Sequence, residues 1–148
     1  MFITLRTRLE RYRNCFRDED GFFEHEILTA RYIISFLEKS GLRVDGKKIL
    51  DVGCGFGGVS FELWKNHAVV TSIDIDSKRV KYAQKRCKGC NFSVCDASRL
   101  KFKDGSFDMC IMADIIEHAR NPYECIKECH RVLKDRGFIF IIFPPYYP

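Results

Sequence analysis

Apolar positions in residues 22–40 recur at Phe23, Ile27, Ala30, Ile34 and Leu37, spaced four, three, four and three. That spacing predicts a helix with one buried face. Acids near its start suit the positive end of the helix dipole, and Gly41 supplies a stop signal. Residues 1–17 are expected to be helical as well. From residue 46 the rhythm changes to short apolar runs that alternate with amphipathic stretches. The runs predict strands at Lys48–Val52, Ala68–Ile73, Asn91–Val94, Phe107–Met112 and Phe138–Phe143. The stretches between them predict helices over 58–66, 77–88 and 121–134. Ser77 is the expected N-cap of the second of these. Asn121-Pro122 gives the third a cap followed by proline at its first position. The polar link over 95–106 is too short for a helix of its own. Strands alternating with helices imply a parallel sheet between helical layers, hence an α/β fold. The expected organisation is a helical segment at 1–45 packed on a core at 46–148.

The first predicted strand runs directly into Asp51-Val52-Gly53-Cys54-Gly55-Phe56-Gly57-Gly58 and then a helix. Glycines there allow a tight turn and a close approach of ligand to main chain. Gly53, Gly55 and Gly58 satisfy the dinucleotide pattern G-x-G-x-x-G, so the loop alone does not choose a ligand. Asp51 tips the choice, unless it serves only to cap a neighbouring turn. A carboxylate beside the loop would repel an anionic pyrophosphate in a partly desolvated site, and it favours a cationic ligand. Asp74 follows 23 residues later at the tip of the second strand, placed to accept hydroxyl protons from a ribose. Asp76 reads as a helix-start residue. Asp96 ends the third strand, where it would accept from an adenine amino group. All three acids fall at carboxyl ends of strands, the edge at which open α/β sheets bind ligands.

These segments together resemble the class I S-adenosylmethionine (SAM)-dependent methyltransferases, in their type 11 small-molecule branch. Ile49 to Gly57 looks like motif I of that family, and Ser72-Ile73-Asp74-Ile75-Asp76 is similar to the segment that follows it. Phe107 to His118 resembles the fourth strand and its exit loop. Asn121-Pro122 and Arg131 to Gly137 match the next helix and its turn into strand five, with Asp135-Arg136-Gly137 where the family often has Pro-Gly-Gly. The resemblance covers residues 46–143. It implies a Rossmann-like, doubly wound, mostly parallel sheet in the order 3-2-1-4-5, preceded by N-terminal helices. The family's strands 6 and 7 have no counterpart before Pro148. It also implies SAM as cofactor and transfer of its methyl group to a small-molecule, glycan or lipid-precursor acceptor. The methionine part would lie along Asp51, Gly53 and Gly55, the ribose at Asp74 and the adenine at Asp96, with Cys54, Ile75, Ala97 and Ala113 as further cofactor-binding positions. The N-terminal aromatics Tyr12, Phe22, Phe23 and Tyr32 either cover the cofactor or are plain core.

If a proton must leave the acceptor, His118, after strand four, is the best-placed base; its plainer role is packing or helix capping. Glu117 and Asp114 are weaker candidates. Three other readings remain: a non-catalytic SAM- or nucleotide-binding module, an NAD-dependent oxidoreductase, and a nucleic-acid methyltransferase.

Charge and composition trim this picture. The net charge is +5. Between Ser77 and Asn91 lie Lys78, Arg79, Lys81, Lys85, Arg86 and Lys88 with no acid, which reads as a solvated helix face more than a nucleic-acid footprint. No stretch approaches the roughly 20 apolar residues of a membrane span, and no signal peptide is evident, so a cytoplasmic protein is expected. Eight cysteines are then expected to be reduced thiols. Cys87 and Cys90 form a lone C-x-x-C, and Cys125, Cys129 and His130 share a helix, but no second ligand pair completes a zinc set, so no structural metal is expected. The apolar run Phe138–Phe143, left at a sheet edge, is expected to invite self-association.

Overall fold

A computed structural model describes residues 17–143. The expected helix over 1–17, apart from its last residue, and Tyr12 and the Pro144–Pro148 tail lie outside them. Five strands form one parallel sheet in the order β3-β2-β1-β4-β5, as the resemblance implies. They are β1 (Lys48–Val52), β2 (Val69–Asp74), β3 (Asn91–Val94), β4 (Phe107–Ala113) and β5 (Leu133–Ile142). The helices are α1 (Glu19–Lys39), α2 (Gly58–Lys65), α3 (Ser77–Arg86) and α4 (Pro122–Val132), with a single 3-10 turn at Ile116–His118.

Alternation along the central strands builds two cores. Ile49, Val70, Met109 and Ile111 face one way and pack with Ala30, Ile33, Ile34 and Leu37 of α1 and Val59 and Leu63 of α2. Leu50, Val52, Ile73, Cys110 and Met112 face the other way and meet Cys125, Cys129 and Val132 of α4. Because successive strand residues point to opposite faces, buried apolar side chains on both parities require helices on both sides. The stripe expected on α1 is buried in full, and Ile33 joins it. The thiols of Cys110, Cys125 and Cys129 fill space in the second core as small hydrophobes.

The ends of elements depart from the sequence reading for identifiable reasons. Helix α1 starts at Glu19 because the Asp18 side chain accepts from the Gly21 amide and caps it. Asp76, rather than Ser77, caps α3, accepting from the Lys78 amide. Asn121 caps α4 as expected, accepting from the Glu124 amide. Helix α4 ends at Val132, two residues early, because Leu133 already pairs with Phe107 of β4. The ladder then breaks and resumes at Met109 with Phe138. The Asp135-Arg136-Gly137 turn is thus a bulge inside β5, with Arg136 at φ 63° and Lys134 bonded to Asp108 at 2.8 Å. The 95–106 link carries no helix and is held by α4. The Arg131 guanidinium donates to the carbonyls of Leu100 and Phe102 and to Asp104 and Glu128.

Candidate functional site

At the carboxyl ends of β1, β2 and β4 a cleft of about 990 Å³ opens beneath α1. Its lining includes every candidate from the sequence: Asp51, Gly53, Cys54, Gly55, Asp74, Ile75, Asp96, Ala97, Ala113 and His118. Phe22, His25, Glu26 and Thr29 of α1 form its roof. Of the N-terminal aromatics, Phe22 lines the cleft, Phe23 is core, and Tyr32 is exposed.

The glycine loop is fully accounted for in hydrogen bonds. The amides of Gly53 and Cys54 donate to the Ile73 carbonyl, and that of Gly57 donates to Cys54. The Gly55 amide donates to Asp74 Oδ2 at 2.9 Å, while Asp74 Oδ1 accepts from the Asp76 amide. The two remaining amides, of Phe56 at 2.9 Å and Gly58 at 2.7 Å, donate to the two carboxylate oxygens of Glu26. In a dinucleotide site such amides at a helix start would hold the pyrophosphate. Here carboxylates of the protein occupy them.

Glu26 was not foreseen. Its only signal in the sequence is an acid set between Phe23 and Ile27 on the buried stripe of α1, a position that normally carries an apolar side chain. Gly57 lies at φ 89° and leaves α2 without a side-chain cap of its own, so Glu26 caps that helix from across the cleft. A Cβ at Gly58 would lie 2.6 Å from Glu26 Cβ and 2.9 Å from the Ile27 amide, which is why glycine is needed where α1 docks. Phe22 stacks on Phe56 at 5.2 Å and fixes the same contact.

Asp51 is 1% exposed and points toward α2. Its Oδ2 accepts from Ser60 Oγ at 2.5 Å, and Ser60 Oγ lies 2.8 Å from Ser72 Oγ, a hydroxyl relay that sequence reasoning missed. Burial pushes the Asp51 carboxyl up to about 7, helped by the charge of Asp74 and opposed by the Ser60 bond. Glu26 is pushed up to about 8, again by burial first, with Asp51 adding repulsion against its two amide bonds. Asp74 completes a set of three carboxylates around one loop, so the site favours a positively charged occupant.

The remaining candidates lie farther along the same edge. Ile75 is 74% exposed, an apolar side chain offered at the cleft beside Asp74. Asp96 accepts from the amide and hydroxyl of Ser98, both on Oδ1, and these bonds hold its carboxyl below the usual range. Asp114, Glu117 and His118 lie at the exposed rim after β4, with Asp114 at φ 53°. Among the described residues no group of three or more His, Cys, Asp and Glu could hold a metal ion. No helix among them is long and apolar enough to cross a membrane. On the basic helix, Arg79 reaches Asp76 at 3.7 Å and lies over Phe56, while Arg86 pairs with Asp20 and lies over Phe23.

A family model described as a methyltransferase domain matches residues 50–141, which carry the strands and the glycine loop at the floor of this cleft but not its roof on α1. The chain belongs to that methyltransferase family. It is 36% identical over 103 residues to the demethylmenaquinone methyltransferase of Thermotoga maritima, an alignment that covers 68% of this chain and 45% of that protein. The ubiquinone biosynthesis O-methyltransferase of Glaesserella parasuis is 25% identical over 144 residues, covering 90% of this chain and 61% of the relative. Among solved structures, a SAM-dependent methyltransferase from Methanosarcina mazei superposes with a TM-score of 0.64 at 31% identity, over 71% of this chain and 55% of that one. The methyltransferase chain thus spans about half the length of the curated relatives it matches.

Proposed function

We propose that this chain binds SAM in the cleft above β1, β2 and β4 and transfers its methyl group to a small-molecule acceptor. One observation carries the reading. Every amide of the glycine loop is already bonded within the protein, two of them to Glu26 and one to Asp74, which leaves no cradle for a pyrophosphate. An NAD-type ligand would have to displace carboxylates, whereas a cation gains from them.

Bound SAM would supply a methyl group on a positively charged sulfur, a ready leaving group. The chain's own task is then to bind and orient. Asp51 and Glu26 would hold the ammonium end, and Asp74 would use its remaining lone pairs for the ribose hydroxyls. Ile75 would offer an apolar surface to the nucleoside beside Asp74, Asp96 would accept from the adenine amino group through Oδ2, and Ala97 and Ala113 would leave room beside them. His118 is the candidate to accept a proton from the acceptor at the rim. The relatives' names point to aromatic or isoprenoid small molecules as the class of acceptor to try first.

Calorimetric titration with SAM and with NAD, followed by turnover of methyl-labelled SAM against quinone precursors, tests this. SAM should bind and NAD should not. Tighter binding of NAD would overturn the family-based ligand. Binding without transfer to any acceptor would reduce the chain to a binding module.

A further inference from the structure

Away from the cleft, the C-x-x-C pair closes the C-terminal end of α3. Cys87 is the residue after the helix, Lys88 and Gly89 form a turn, and Cys90 precedes β3. A turn of this kind brings residues three apart to within about 7 Å between Cα atoms, inside the span a disulfide can bridge. The Cys87 thiol donates to Cys90 Sγ at 2.8 Å, closer than two thiols that merely pack. Once Cys87 loses its proton the Cys90 side chain, helped by the backbone at Gly89 and Cys90, stabilises the thiolate, which lowers the Cys87 thiol to about 7 while Cys90 is raised. Cys87 is 1% exposed, whereas Cys90 is only partly buried, so access from solvent is through Cys90 and the turn. The remaining described cysteines (Cys54, Cys95, Cys110, Cys125 and Cys129) are buried.

We propose that Cys87 and Cys90 are a redox modification site that closes reversibly to an intramolecular disulfide on reaction with a low-molecular-weight disulfide. In the first step a thiolate of the pair attacks one sulfur of the oxidant, forming a mixed disulfide and expelling one thiolate. The second cysteine, losing its proton, then attacks the mixed disulfide and expels the other half. Two protein thiols have lost two electrons and two protons, and the oxidant has become two thiols.

The position gives the switch a readout and a consequence. The chain's single tryptophan, Trp64, lies directly against Gly89, so that a Cβ there would collide with its indole. Cys90 also donates to the Ser60 carbonyl at 3.4 Å, and Ser60 is the residue whose hydroxyl bonds Asp51. Oxidation removes that thiol donor behind the glycine loop. The inference stands on the cysteine geometry and does not depend on which ligand the cleft takes.

The test uses the full 148-residue chain, fully reduced, freed of reductant and exposed to a concentration series of oxidised glutathione. Free thiols are then alkylated under denaturing conditions and mapped by mass spectrometry. The expected result is one internal link between Cys87 and Cys90, reversed by dithiothreitol, at about tenfold lower oxidant than modifies any other cysteine. Trp64 emission should change over the same range. Cys90→Ser should abolish both signals, whereas Cys125→Ser should leave both intact. A pair that stays doubly alkylated in the folded wild-type chain would overturn the proposal, as would stable glutathione adducts on Cys90 without closure. A Trp64 response that persists in Cys90→Ser would overturn the assigned readout.

Discussion

The Gly58 amide donates to Glu26 across 32 residues of sequence at 2.7 Å, so the start of α2 is capped by a side chain of α1. With the Phe56 amide on the other oxygen, one carboxylate closes the glycine loop and fastens the roof of the cleft to its floor. Replacing Glu26 by Ala leaves both amides without their partner. The unfolding free energy should drop by about 1–3 kcal/mol. Urea denaturation at fixed pH measures this as a lower midpoint at unchanged slope. An unchanged midpoint would mean that water or a rearranged loop satisfies the two amides equally well.

Two buried carboxyls also predict how stability depends on pH. Asp51 is raised to about 7 and Glu26 to about 8, both chiefly by burial. In the unfolded chain both ionise near pH 4. Between those values the native state holds protons that the unfolded state has released, so stability declines as pH rises. The stabilising contribution is complete below about pH 4 and is lost progressively through pH 7 to 8. Cys87, whose thiol is lowered to about 7, acts in the opposite sense above that pH, so the window of pH 5–7 isolates the carboxyls. Thermal melts should show Tm falling across it, by on the order of 2–4 °C for each kcal/mol. In Asp51→Asn the slope should be shallower. A Tm that climbs steadily from pH 5 to 7 would contradict the assignment.

The strands were legible because each inner strand is a near-continuous apolar run, and the helix over 22–40 because of its 3.6-residue period, whereas the strand order came from the family resemblance. The acids at the strand ends were legible for a related reason: Asp51 and Asp74 interrupt or end runs that are otherwise apolar. What could not be read was pairing between elements distant in the chain. Nothing local says that Glu26 reaches the Phe56 and Gly58 amides, or that Ser60 and Ser72 meet over Asp51. Element ends were misplaced where a tertiary contact outweighed local propensity. Leu133 leaves the helical pattern because its backbone pairs with Phe107. Asp76 takes the cap from Ser77 because the turn after β2 presents its carboxylate to the Lys78 amide.

Asp74 carries two duties, and its removal should expose both. One oxygen holds the Gly55 amide and the other the Asp76 amide, and the same carboxylate is the proposed ribose acceptor. Asp74→Ala should therefore weaken SAM binding by at least about 1–3 kcal/mol. Because the loop loses an anchor as well, the heat-capacity change on binding should grow as ordering is deferred to the bound state. Asp96→Ala, at an exposed carboxylate already satisfied on Oδ1, should cost less. Calorimetry that ranks the two the other way would move the ribose away from β2.

Among the described residues β5 pairs with β4 alone, which leaves its other edge open. Phe138, Phe140 and Ile142 pack partly against one core and Ile139 and Ile141 against the other, so both faces of the edge are apolar. Phe36 of α1 meets Phe140 edge-on at 5.6 Å and is itself 49% exposed, extending the apolar surface onto the helix. An open strand with these side chains and with unpaired backbone groups is a template for another strand. The 148-residue chain should therefore associate with rising concentration, and light scattering should show its mean mass increase. Hydrogen exchange should locate the added protection in residues 138–142. A charge beside the edge should oppose pairing, and Phe143 is the place for it. Its side chain is 58% exposed, so Phe143→Lys should reduce association with little change in Tm. Cofactor affinity should be the same in the associated and dissociated forms, because Asp51, Asp74 and Asp96 stand on β1, β2 and just past β3, on the far side of β4 from this edge. A monodisperse monomer at every concentration tested, with the 138–142 amides already protected, would show that the edge is covered within a single chain.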